Sequence, residues 1–78
     1  MAIFTLITAA PEILGGKPCI KGTRLSVEFI LELFASGATR DEILAAYPQL
    51  SPESIEEALR FAARSLKNEI ILTTDIMP

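Results

Sequence analysis

Few side chains in this sequence can do covalent chemistry, and their types point to binding rather than catalysis. The chain has no histidine. Its single thiol, Cys19, therefore has no imidazole within the chain to take its proton, which excludes a nucleophile of the Cys–His kind. A zinc site needs several Cys or His residues at set spacings, and none are offered. Glu53, Glu56 and Glu57 are close enough in sequence to attract a hard cation, but neighbouring carboxylates on a helix are ordinarily just solvated. We expect no catalytic residue, no metal, no cofactor and no enzyme.

The cations form two groups. Lys17, Lys21 and Arg24 share one short segment with no acid between them, and Arg40 opens a later helix. These four are the candidate nucleic-acid-binding set. Arg60, Arg64 and Lys67 lie further on, spaced to share the face of a helix. The overall balance opposes a broad nucleic-acid footprint. Seven Lys and Arg face ten Asp and Glu, a net charge of -3, and counterion release needs clustered cations.

The elements that must hold these groups read in three zones of one domain: a β element with turns over 1–25, a three-helix core over 26–67 and an extended tail over 68–78. Ile3 to Thr8 is β-branched and aromatic, which suits a short strand. Large apolar groups lie on both of its sides, so we expect both to be covered. Pro11 stops it. Gly15, Gly16 and Gly22 allow positive φ, and Pro18 stiffens the turn between them. Cys19-Ile20 and Thr23–Val27 suit short extended pieces. A phosphate cradle is conceivable here, but the Walker spacing and its following helix are missing. The plainer alternative is a tight turn whose Arg24 holds down backbone carbonyls or a helix C-terminus.

Ser26 is a suitable N-cap for a first helix running to about Ser36, with Gly37 as its stop. Thr39 and Glu42 make a capping box for a second helix ending near Tyr47, before Pro48. Ser51-Pro52-Glu53 starts a third, reaching about Lys67. The proportions of the last pair are those of a helix-turn-helix. The residues that would enter a DNA groove are Glu53, Glu56 and Glu57, which have the wrong sign for phosphate.

The helix faces carry the packing expectations. Val27, Ile30, Leu31 and Phe34 make a core stripe on the first helix. Phe29 and Leu33 point roughly the other way, so they are covered either by the N-terminal segment or by a second subunit. Ile55, Ala58, Leu59, Ala62 and Leu66 are expected inward on the third helix. Glu53, Glu56, Glu57, Arg60, Arg64 and Lys67 are expected outward, with Glu56 able to pair with Arg60. Phe61 sits near the edge of the outer face and is a candidate docking point. Glu69–Thr74 is strand-like again, with Ile70, Ile71 and Leu72.

Half of the residues are hydrophobic, and the mean hydropathy is +0.41. A chain this short buries only about 60% of its unfolded surface. Some apolar surface should then be covered by another chain, and we expect a homodimer, with Ile3, Phe4, Leu6, Phe29 and Leu33 as its candidate interface. No run approaches the ~20 apolar residues of a membrane span. Met1–Ala10 lacks the basic start and cleavage ending of a signal peptide. A lone cysteine suits a reducing cytoplasm.

The run PEILGGKPCIKGTR, Pro11 to Arg24, closely resembles the signature of the bacterial domain-of-unknown-function family 433. The resemblance continues through Val27, Ser36-Gly37-Ala38, Glu42-Ile43-Leu44, Tyr47-Pro48 with Leu50, and Ala58-Leu59 to Ala63, covering about residues 11–64. Ala10 stands where Asp is common, and Phe61 where Tyr is common. The resemblance implies a mainly α, homeodomain-like three-helix fold with a small N-terminal β element. It also implies a VapB-like antitoxin of a type II toxin–antitoxin pair, whose partner is a PIN-like ribonuclease. Such a nuclease has a carboxylate cluster around a metal. The segment best suited to dock there is Arg60, Phe61, Arg64 and Lys67 followed by Ile70, Ile71 and Leu72. The alternative is a dimeric DNA-binding regulator of its own operon, using Lys17, Lys21, Arg24 and Arg40.

Overall fold

The computed structural model describes residues 4–67. Ile3 and the expected strand-like tail lie outside the described residues. Two short strands and three helices follow one another: β1 (Ile7–Thr8), β2 (Cys19–Ile20), α1 (Val27–Ala35), α2 (Arg40–Ala46) and α3 (Pro52–Lys67). The fold is mainly α with a small β element, as the sequence suggests.

The β element is shorter than Ile3–Thr8 leads one to expect. β1 and β2 pair antiparallel, with Ile7 opposite Ile20 and Thr8 opposite Cys19. The backbone N–H of Lys21 adds a bond to the Leu6 carbonyl at 2.8 Å. The N–H of Leu6 leaves the strand pattern and donates to a side chain on α3. On its other edge β2 meets the run leading into α1. Ile20 N–H donates to Leu25 O, and Val27 N–H donates to Pro18 O, each at 2.9 Å.

Thr23 closes the intervening turn. Its hydroxyl donates to Ile20 O at 2.8 Å and accepts the N–H of Leu25 at 3.0 Å. Gly22, at φ +80°, supplies the left-handed step.

Local rules set the helix ends. Ser26 Oγ accepts the N–H of Phe29 at the start of α1. At its end Gly37 adopts φ +102°. Gly37 N–H then bonds Phe34 O, and Ala38 N–H bonds Leu33 O, a Schellman arrangement. Thr39 and Glu42 form the expected reciprocal capping box of α2. At the start of α3 the reciprocal pair is Ser51 and Ser54, whose hydroxyls each accept the other's backbone N–H.

The core is a cluster of Ile20, Val27, Ile30, Ile43, Leu50, Ile55, Ala58 and Ala62. Every element except β1 contributes to it. Ala58 and Ala62 are small, which lets α3 lie close against α1. One expectation for α3 fails. Leu59 and Leu66 are not inward but 41% and 49% exposed, whereas Glu57 is only 6% exposed. The buried arc runs through Ser54, Ile55, Glu57, Ala58 and Ala62. The reason is tertiary: residues 4–8 lie along the Glu57–Phe61 flank, so the helix is covered there and bare on the Leu59 side.

Candidate partner-binding face

The C-terminal half of α3 carries two exposed stripes side by side. Arg60, Arg64 and Lys67 form one, and Leu59, Ala63 and Leu66 form the other. Both follow i, i+4, i+7 spacing, so each runs nearly straight along the helix. The first turn of α3 holds Glu53 and the last holds Arg64 and Lys67, an order the helix dipole favours.

Glu56 lies between two cations. Its Oε2 is 3.3 Å from Arg40 Nη1, and its Oε1 is 3.9 Å from Arg60 Nη1. The expected Glu56–Arg60 pair is therefore present, and α2 is tied to α3 by the same carboxylate. All three side chains are more than half exposed, so solvent screens both pairs. Arg64 and Lys67 make no ion pair among the described residues. Phe61 is half-buried, its ring edge-on to Phe4 with centroids 5.3 Å apart. It anchors the N-terminal segment as well as bordering the face. Ile70, Ile71 and Leu72, the remaining partner-binding candidates, lie outside the described residues.

The four candidate nucleic-acid cations do not gather into one unopposed patch. Lys17 Nζ bonds Glu28 Oε1 at 2.9 Å. That hydrogen bond and the charge of Glu28, with Glu32 behind it, hold the Lys17 pKa above its usual 10.5. Arg24 lines the same open cleft as Lys17, together with Glu28 and Glu32, so both signs meet there. Arg40 is taken by Glu56. Arg24 makes no hydrogen bond to a backbone carbonyl among the described residues; Thr23 closes the turn instead.

The candidate dimer residues also disperse. Phe4 and Leu6 lie against α3. Phe29 packs edge-on to Tyr47, centroids 5.6 Å apart, and Leu33 is half-buried against the core. Of the two covers weighed for Phe29, the N-terminal segment goes elsewhere and Tyr47 takes its place. Ile3 lies outside the described residues.

Two residues whose roles sequence reasoning missed hold distant segments of the fold together. Glu57 reads as one more outward acid, yet it is buried and accepts the N–H of Leu6 at 2.6 Å. Tyr47 reads only as a helix stop. Periodicity marked neither, because their partners come from distant parts of the chain. Cys19 is 1% exposed and its Sγ donates to Lys17 O at 3.2 Å, so it is a packing group. Among the described residues no cluster of three acids, thiols or imidazoles could hold a metal ion. Nor is any helix there long and apolar enough to cross a membrane.

A family model described as "Protein of unknown function (DUF433)" matches residues 7–62. The match takes in every element from β1 to most of α3, but stops short of Arg64 and Lys67. An uncharacterized protein, y4eO, from Sinorhizobium fredii (strain NBRC 101917 / NGR234) is 37% identical over 57 residues, 73% of this chain and 26% of that protein. The chain thus spans about a quarter of that relative's length. The crystal structure of a DUF433 member protein from Anabaena variabilis ATCC 29413 superposes with a TM-score of 0.74 at 30% identity, over 76% of this chain and 58% of that one.

Proposed function

The chain belongs to the DUF433 family of proteins of unknown function, and from that premise we propose that it is a binding module of the antitoxin kind. Its partner would be a PIN-like ribonuclease, neutralised by direct contact through the C-terminal half of α3. The observation that carries this reading is the pairing of an exposed cationic stripe with an exposed apolar stripe on one helix face. An acidic, metal-binding nuclease centre is a concave cluster of carboxylates. Arginine suits it, because a guanidinium fork meets a carboxylate with two parallel bonds. Leu59 and Leu66 add apolar area that a charged rim alone would lack.

Pull-down after co-expression with a PIN-like nuclease encoded beside this chain tests the proposal, with RNA cleavage as the second readout. The Arg60→Ala/Arg64→Ala variant should lose retention and release nuclease activity. Full retention and full inhibition by that variant would remove this face from the account. The proposal includes a homodimer, which sedimentation equilibrium of the free chain tests directly.

A DNA-binding regulator is the second reading, favoured by the order and spacing of α2, the turn at 47–51 and α3. Charge weakens it: Lys17 and Arg40 are each engaged by a carboxylate, and Glu53 and Glu56 stand exposed at the start of α3. If it is right, binding to the protein's own promoter should fall steeply with salt.

A further inference from the structure

The open cleft that holds Lys17 and Arg24 has a volume of about 510 Å³. That falls within the roughly 300–1,000 Å³ typical of small-molecule sites. Its lining comes from the turn before β2, the run into α1 and the exposed side of α1, and no residue of α3 reaches it.

Four charged side chains line it, two of each sign. Lys17 and Glu28 neutralise one another at 2.9 Å. Arg24 and Glu32 face the same cleft, yet neither makes an ion pair among the described residues, with each other or with a third group. Leu14, Leu25 and Phe29 give the cleft its apolar surface. The Ser26 hydroxyl is already occupied as the cap of α1.

This balance selects the charge of a ligand. An anion gains at Arg24 and loses at Glu32, and a cation does the reverse. A molecule carrying both signs gains at both. We propose that the cleft binds a small zwitterion with an apolar body, of the size of an apolar dipeptide. Its carboxylate meets the Arg24 guanidinium, whose planar fork matches it. Its ammonium meets the Glu32 carboxylate, and its side chains lie on Leu14, Leu25 and Phe29.

Leu14 supplies an independent reason. Its backbone is left-handed, at φ +50°, where a residue with a Cβ is strained. Its side chain is nevertheless 43% exposed and does not join the core. The fold gains no burial in return for that strain, and a ligand lying on Leu14 provides it.

The inference goes beyond both readings above and depends on neither, because it uses no residue of α3.

Calorimetric titration of the full chain with leucyl-leucine tests it, with methyl NMR as a check on the fold. A ligand of this size should bind with a Kd below about 1 mM. N-acetylation removes the ammonium and amidation removes the carboxylate; each should weaken binding at least about tenfold. Glycyl-glycine keeps both charges without the apolar body and should also bind at least about tenfold more weakly. Arg24→Gln should lose the discrimination against the amide, and Glu32→Gln the discrimination against the acetylated form. Leu14→Asn keeps a residue that tolerates the left-handed backbone. It should weaken binding while the methyls of Ile30, Ile43 and Ile55 stay unmoved. Three results would each overturn the proposal: no saturable binding of leucyl-leucine, blocked dipeptides that bind as well, or unchanged affinity in Arg24→Gln or Glu32→Gln.

Discussion

The buried carboxylate of Glu57 accepts the backbone N–H of Leu6 across 51 positions of sequence, at 2.6 Å. It stands where β1 leaves its own ladder: the Leu6 carbonyl still accepts the N–H of Lys21, but α3 supplies the acceptor that the Lys21 carbonyl would provide in a regular antiparallel pair. A hydrogen bond to a charged acceptor is worth about 1.5–3 kcal/mol. Glu57→Ala strands a part-buried donor and should lower stability by about 1–3 kcal/mol. Glu57→Gln keeps an acceptor without the charge and should cost less. Urea unfolding of both variants decides; equal, negligible losses would show that the bond does not hold β1.

The Phe4–Phe61 contact is the second fastening of the same segment. Edge-to-face pairs contribute about 0.5–1.5 kcal/mol beyond their buried area. A double-mutant cycle with Phe4→Leu and Phe61→Leu should return a coupling in that range. Strictly additive losses would mean that the two rings are neighbours without preference for this geometry.

Gly37 isolates backbone strain from packing. It sits at φ +102°, and a Cβ placed there meets nothing within 4 Å. Gly37→Ala should therefore destabilise through conformation alone, by about 1–2 kcal/mol. For a domain of this size each kcal/mol lowers Tm by about 4–8 °C. An unchanged melting curve would show that the Schellman turn is not needed to end α1.

Leu59 separates stability from partner binding. It is 41% exposed, so Leu59→Asp should change stability by no more than about 0.5 kcal/mol. The same variant should weaken capture of the nuclease partner, because it places a like charge against a carboxylate-lined site. Loss of folding with Leu59→Asp would return this residue to the interior.

The Lys17–Glu28 pair gives a titration with a known sign. Glu28 raises the Lys17 pKa above its usual 10.5. The contribution of the pair to stability is thus fully present below that value, and is lost as pH rises through the higher folded value. In Glu28→Gln the Lys17 ammonium, followed by NMR, should titrate closer to 10.5. Identical titration in both proteins would show the bond to be open in solution.

What sequence alone determined about this protein is local. Ser26, Thr39 with Glu42, Ser51 and Gly37 each act within a few residues of chain, so the helix boundaries were legible from residue type. Gly22 likewise marks its own turn, although Thr23 and not Arg24 closes it, and the DUF433 signature was readable from Pro11 to Arg24. Tertiary structure alone decided which way α3 faces. Its apolar positions extend over more than half of its circumference, so periodicity admits several rotations. The segment 4–8 settled among them by lying on the Glu57–Phe61 flank, burying an acid and baring Leu59 and Leu66. Burial is a property of what a residue packs against, and those partners are far away in the chain; that is why the helices were readable in advance and the face they present was not.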